Sequence, residues 1–221
     1  MGAVVFDWDG TLVDTLPAIL RANVDVLLEY GRPFDEARFR AAYTPDWRRM
    51  YIALGIPPSE LETAGRRWLE LYREAGSLAP FPGVRDALLR LRERGHVLGL
   101  VTAGDREVVE DQLRRFDLGE LIPVRVCGDD PYPAKPDPTP LRQALAALRH
   151  RTGPSDAAYV GDAPDDMRMA CALGARAVGI VGILSTTEGL RAAGADEVHP
   201  SVVAWVDGSV PDPTLGAPPA T

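Results

Sequence analysis

The chain has 221 residues, 46% of them hydrophobic, and a formal net charge of -8. That length and apolar content suit one large domain or a domain with a small insert, and the acidic balance argues against a nucleic-acid or anionic-membrane surface. No apolar run approaches the roughly 18 residues of a membrane span, and a start without basic residues, its apolar run cut by Asp7, fits no signal peptide. Cys127 and Cys171 stand far apart in no metal-ligand spacing, as free thiols of a reducing cytoplasm would.

In chain order, the first strand signal is Ala3-Val4-Val5-Phe6, an apolar run of the kind buried on both faces in the middle of a parallel sheet. Gly10 breaks it, so Asp7 and Asp9 fall at or just past its carboxyl end. Residues 16–30 then carry helical periodicity through Ile19, Leu20, Val24, Leu27 and Leu28, and Gly31 stops it. Shorter helices are expected over 35–42 and 46–54, separated by Tyr43-Thr44-Pro45. Ser59, with Glu62 three residues on, predicts the N-cap of a long helix reaching about residue 75. No strand signal occurs in residues 15–80, and Ala79-Pro80-Phe81-Pro82-Gly83 ends that stretch like a hinge.

From Gly83 onward helices alternate with apolar strands. Helices are expected over 84–94, 105–116, 139–150, 164–173 and 188–193, and strands over 97–102, 124–127, 157–160, 177–181 and 197–198. Such alternation means βαβ units. The fold class predicted is α/β, a Rossmann-like parallel sheet with helices on both faces and an inserted all-helical domain. The core would comprise 1–14 and 82–208, the insert 15–81, and a Pro/Gly/Ala-rich tail 209–221.

The strand ends gather chemistry on one edge, since all strands of a parallel sheet end on the same side. There lie Asp7 and Asp9, then Thr102-Ala103-Gly104, then Gly161-Asp162 with Asp165 and Asp166. Lys135 joins them from a Pro-rich loop, and it is the one lysine among 24 basic side chains. Clustered carboxylates suit Mg²⁺. Thr102, the amides of Ala103 and Gly104, and Lys135 suit an anion. Each piece also has a plainer role. Asp-x-Asp-Gly is turn chemistry, Thr102 could cap the following helix, and Asp165 and Asp166 beside Pro164 could simply open one.

Taken together, Asp7-Trp8-Asp9-Gly10-Thr11-Leu12-Val13-Asp14, Thr102, Lys135 and Gly161-Asp162-x-x-x-Asp166 resemble the four motifs of the haloacid dehalogenase superfamily, in its phosphatase branch with a helical cap after the first strand. Trp8 in place of the usual Phe, and Ala103-Gly104 in place of a polar pair, are departures from the pattern. The resemblance implies that Asp7 is the nucleophile and forms an aspartyl-phosphate. Asp9 would serve as acid and then base, which needs its pKa raised while Asp7 stays ionised. Mg²⁺ would be held by Asp7, the Asp9 carbonyl and Asp162, with Asp166 orienting waters, and Thr102 and Lys135 would hold the phosphoryl oxygens. The second aspartate favours phosphate over halide chemistry. Residues 15–81 contain no lysine, which closes the Schiff-base route of phosphonate-cleaving relatives.

Within the helical insert, nine Arg balance nine Asp+Glu. The segment 43–48 is the candidate specificity loop, with Thr44, Trp47 and Arg48 facing substrate and Arg48 or Arg49 meeting a substrate carboxylate such as that of phosphoglycolate. The expected partner is a small phosphorylated metabolite, with no nucleic acid and no membrane, and the chain is expected as a monomer or homodimer. A sugar phosphomutase and a catalytically idle binding module share the same core and remain alternatives.

Overall fold

The computed structural model describes residues 2–42, 44, 46–74, 78–148, 153–182 and 185–208. The expected tail at 209–221, residues Tyr43 and Pro45 of the specificity segment, and the last residues of the helix expected to reach His150 lie outside these. The described residues form two compact units, one running up to Val13 and resuming at Pro80, the other spanning Asp14–Ala79.

The larger unit is built on six parallel strands, β1 (Ala3–Phe6), β2 (Val97–Val101), β3 (Val124–Val126), β4 (Ala157–Gly161), β5 (Arg176–Ile180) and β6 (Glu197–His199), in the order β3-β2-β1-β4-β5-β6. The chain steps outward from β1 to β3, then crosses to the other side of β1 and steps outward again. This is the doubly wound order, and its reversal point lies between β1 and β4. Strand β1 is central because both its faces are apolar. Val4 and Phe6 enter one cluster with Leu98, Leu100, Val178 and Trp205. Ala3 and Val5 enter the other with Tyr159, Leu141 and Met167. Burying Val or Phe side chains in this way contributes about 1.5–3 kcal/mol each. In register, Phe6 lies opposite Leu100 on one side and Val160 on the other, so the ends of β1, β2 and β4 come out level.

The smaller unit holds four helices, α1 (Leu16–Glu29), α2 (Glu36–Ala42), α3 (Trp47–Leu54) and α4 (Leu61–Glu74). They close over Val26, Leu27, Phe39, Met50, Tyr51, Leu54, Ile56, Leu61 and Ala64. Asp46 caps α3 by accepting the Arg49 amide at 3.3 Å, and Gly55 ends it at a φ of 95°, a value that favours glycine. Ser59 is not an N-cap. Residues Pro58–Glu60 form a 3-10 turn that runs straight into α4, because Pro57 and Pro58 fix the entry before Ser59 is reached.

The remaining helices, α5 (Val84–Glu93), α6 (Arg106–Arg115), α7 (Thr139–Ala147), α8 (Pro164–Leu173), α9 (Thr187–Ala192) and α10 (Val202–Gly208), cover the sheet. Helix α10 was not expected, because Val202-Val203-Ala204-Trp205-Val206 has no polar face to reveal a helical period. Its Trp205 is 1% exposed and meets Phe6 edge to face, with ring centroids 6.5 Å apart. Replacing Trp205 by Ala should therefore cost about 3–5 kcal/mol of stability. In urea unfolding the midpoint should fall with the slope unchanged.

Candidate active site

The carboxyl edge of the sheet, at the reversal between β1 and β4, is where the predicted side chains meet. Asp7 follows β1 directly and extends its ladder by donating its amide to the Val160 carbonyl at 2.8 Å. Asp162 follows β4. Lys135 reaches in from the loop after β3, and its Nζ donates to Asp7 Oδ1 at 2.6 Å and to Asp166 Oδ1 at 2.8 Å. All four side chains are buried. Asp166 stands at the third position of α8 and accepts the Ala163 amide at 3.0 Å through Oδ2, so one carboxylate both opens the helix and pairs with the lysine. Asp165 instead pairs at the surface with Arg168, at 2.6 Å.

Glycine makes room for this cluster. A Cβ on Gly161 would lie 2.3 Å from Asp166 Oδ2, and one on Gly182 would lie 3.0 Å from Asp162 Oδ2. Thr11 donates to Asp162 Oδ1 at 3.4 Å. The Tyr159 hydroxyl has one proton and two acceptors, the Val101 carbonyl at 2.8 Å and Asp166 Oδ1 at 3.2 Å. Its ring lies 5.4 Å from the Lys135 ammonium. Sequence reasoning missed Tyr159, since in an apolar strand it reads as an ordinary core residue. Trp8, in the Phe position of the motif, is buried and donates its indole N–H to Gln112.

Thr102 follows β2 directly, and its hydroxyl accepts the Gly104 amide at 3.0 Å. It does not cap α6, whose N-cap position is Asp105. Gly104 also borders Asp9, for a Cβ there would lie 3.5 Å from Asp9 Oδ2 and 3.4 Å from Thr102 Oγ1. The structure thus brings Asp7, Lys135, Asp162 and Asp166 into one cluster, and sets Asp9 against the Thr102–Gly104 turn. The three specificity candidates lie in the helical unit. Thr44 Oγ1 accepts the Asp46 amide at 3.4 Å. Trp47 stacks edge-on with Tyr51 and packs so closely on α4 that a Cβ on Gly65 would meet it at 2.8 Å. Arg48 pairs with Glu62 at 2.8 Å and lies 4.3 Å over the Trp47 ring.

The charges explain what the cluster can hold. Asp7, Asp162 and Asp166 each offer an oxygen, all within 4.8 Å of one another, against the single ammonium of Lys135. Burial pushes the Asp7 carboxyl up to about 7; Lys135 opposes this, and Asp166 and Asp9 add to it. Burial, then Asp7 and Asp166, drive Asp162 the same way. For Lys135, burial works against the charged form, but Asp166 and Asp7 outweigh it and hold the ammonium protonated. The donors are hard oxygens with unbalanced negative charge, so the set fits Mg²⁺.

Residues 4–180 match the family model described as haloacid dehalogenase-like hydrolase, and the chain belongs to that family. It is 32% identical to the phosphoglycolate phosphatase of Synechococcus elongatus over 87% of this chain and 90% of that protein. It is 31% identical to the N-acetylmuramic acid 6-phosphate phosphatase of Pseudomonas aeruginosa over 72% and 73%. Among solved structures, CbbY from Rhodobacter sphaeroides in complex with phosphate superposes with a TM-score of 0.76 at 25% identity, covering 93% of this chain and 96% of that one. A protein from Thermotoga maritima proposed as a beta-phosphoglucomutase does so at 0.72 and 29%, covering 94% and 97%. Within the family the chain is a phosphoric monoester hydrolase of the phosphoglycolate phosphatase type. Among the described residues no helix is long and apolar enough to cross a membrane.

The raised Asp7 carboxyl gives a stability prediction. Between its ordinary value of 3.8 and about 7, the folded chain keeps a proton that the unfolded chain releases. In EDTA, stability should therefore decline as pH rises from about 4 to about 7, by on the order of a few kcal/mol. Millimolar Mg²⁺ should raise the Tm more at the upper end of that range than at the lower. Thermal melts at fixed ionic strength measure this, and a Tm indifferent to Mg²⁺ at the upper pH would count against a cation in the cluster.

Proposed function

We propose that the protein is a Mg²⁺-dependent phosphatase that hydrolyses a small organic phosphomonoester through an aspartyl-phosphate on Asp7. The observation that carries this reading is the buried chain Asp7–Lys135–Asp166 beside Asp162. Asp7, Asp162 and the Asp9 carbonyl would hold Mg²⁺, with Asp166 supporting, and the bound cation would neutralise excess carboxylate charge and polarise the phosphoryl group. The Asp7 carboxylate attacks phosphorus in line as the ester P–O bond breaks. Asp9 gives its proton to the departing alkoxide, then takes one from the water that cleaves the acyl phosphate, returning Asp7 and releasing inorganic phosphate. Lys135, Thr102 and the Ala103 and Gly104 amides bind the phosphoryl oxygens and stabilise their growing charge.

Residues 15–81 act as the cap that selects substrate, through the segment containing Thr44, Trp47 and Arg48. Phosphoglycolate, named in the Synechococcus relative, is the first candidate substrate. Arg48 already has Glu62 as a partner, so the exposed Arg49 is the better match for a substrate carboxylate. The resemblance to the Thermotoga protein supports a second reading, in which the phosphoryl group passes to a sugar hydroxyl in place of water.

Hydrolysis of an aryl phosphate should require Mg²⁺ and stop in EDTA. Asp7→Asn should lower kcat at least about 1,000-fold, and Asp9→Asn about 10²- to 10⁴-fold. A folded, Mg²⁺-binding wild type without turnover would overturn the phosphatase reading, and a phosphoenzyme burst with a sugar bisphosphate would then favour the mutase.

A further inference from the structure

Two loops at the carboxyl edge are stitched together by an ion pair that lies outside the four motifs, one guanidinium nitrogen meeting both oxygens of one carboxylate. One is the turn after β2, Thr102 to Arg106, which carries the proposed phosphate donors. The other, Cys127 to Asp130, follows β3 and leads into the loop that carries Lys135. Arg106 Nη2 donates to Asp130 Oδ1 at 2.8 Å and to Oδ2 at 2.6 Å, and reaches the Arg125 carbonyl at 3.3 Å. The Arg106 amide donates to Asp129 Oδ1 at 2.9 Å. Asp130 Oδ2 also accepts the Cys127 amide at 2.9 Å, so the same carboxylate closes its own loop. The backbones touch directly as well. The Gly128 amide donates to the Gly104 carbonyl at 2.9 Å, and a Cβ on Gly128 would lie 2.1 Å from the Ala103 carbonyl oxygen.

This arrangement does more than tie down a surface loop. The Gly104 carbonyl is fixed by the Gly128 amide, the Gly104 amide by the Thr102 hydroxyl, and Gly128 packs on the Ala103 carbonyl, which leaves the 102–104 turn little freedom to rotate. Rotation within that turn is what would swing the Thr102 hydroxyl and the Ala103 N–H toward or away from a phosphoryl oxygen. Burial disfavours charge on Asp130, yet Arg106 and the Cys127 amide outweigh this and hold its carboxyl below the ordinary range. The pair therefore stays ionised across the neutral range, and Asp130, the less exposed partner, is only 19% accessible in its side chain. Charge-assisted hydrogen bonds from Nη2 to both carboxylate oxygens hold the two loops at short range.

We propose that Arg106 and Asp130 are positioning residues for phosphate. By locking the loop after β3 against the turn after β2, they fix the Thr102–Gly104 turn, and with it the Thr102 hydroxyl and the Ala103 amide, in the orientation that binds the phosphoryl group. The inference rests on the phosphatase reading and adds to it two residues that touch neither the phosphoryl group nor the cation.

The test is Arg106→Met in the full chain, with Arg106→Lys as the variant that keeps the charge and one donor nitrogen on a shorter side chain. Three quantities are read: KM for an aryl phosphate, the dissociation constant for inorganic phosphate by calorimetry in Mg²⁺, and the Mg²⁺ concentration that half-saturates activity. Arg85→Ala, which removes the exposed pair with Asp117, serves as the control for loss of a surface ion pair. For Arg106→Met, KM and the phosphate dissociation constant should rise about tenfold, the scale of effect expected when binding groups are displaced by a fraction of an ångström. The Mg²⁺ requirement should not move, Arg106→Lys should fall between wild type and Arg106→Met, and Arg85→Ala should match wild type. Unchanged phosphate affinity in a folded Arg106→Met would overturn the proposal. So would a parallel loss of phosphate and Mg²⁺ affinity, which is what general loosening produces. If Arg106→Met does not fold, Arg106→Lys decides by the same comparison of phosphate against Mg²⁺. A wild type that neither hydrolyses the ester nor binds phosphate would instead overturn the phosphatase reading itself.

Discussion

Three carboxylates and one ammonium share a buried space at the edge of the sheet, and the rest of the larger unit is arranged so that this is tolerable. An isolated charge in such a place would shift its pKa and neutralise. Here Lys135 donates to two carboxylates at once, and Asp7 and Asp162 remain pushed toward their protonated forms. The residual imbalance is a demand that retained protons or a bound cation would meet. It also bears on why position 135 is a lysine where the chain's other 23 basic side chains are arginines. A compact ammonium fits between Asp7 and Asp166 with two short bonds, whereas a planar guanidinium needs wider spacing and a bidentate face.

The demand is met by topology before it is met by side chains. Parallel strands bring every carboxyl end to one side, and the reversal of winding between β1 and β4 opens that side at one place. Asp7 and Asp162 each follow one of the two strands that flank the reversal. Because Phe6 pairs level with Leu100 and Val160, the residues that follow arrive at the same height without long loops to carry them. The cluster is thereby built on the most buried strands in the molecule, which is where preorganised charge is least able to relax.

Much of this could be read in advance, and for a physical reason. Apolar runs ending in Gly or Asp mark strand ends, and the βαβ rule assigns all those ends to one edge, so Asp7, Thr102, Lys135, Asp162 and Asp166 could be gathered without coordinates. What could not be read were residues whose function depends on distance alone. Tyr159 carries its hydroxyl between Val101 and Asp166 from inside an apolar strand that would look the same with Phe. Arg106 and Asp130 look like any pair of charges near a surface. Ser59 carried a capping signature that two preceding prolines made irrelevant. Arg48 was singled out for its charge, and Glu62 on a neighbouring helix, invisible to local pattern, is what that charge meets.

The plain and the chemical readings of a residue also turn out not to compete. Asp166 sits where any helix would accept an acid, two residues after Pro164, and it takes the Ala163 amide as such a residue should. That contact uses one carboxylate oxygen and fixes the plane of the other, which then receives Lys135 and faces Tyr159. Thr102 shows the same economy, since its hydroxyl holds the Gly104 amide and so shapes the turn beside Asp9. Helix-start physics and turn physics thus supply the rigidity that the chemistry needs. A side chain held by its own backbone arrives at the cluster with its orientation already set, and the entropy of placing it is met in folding the element, before any ligand binds.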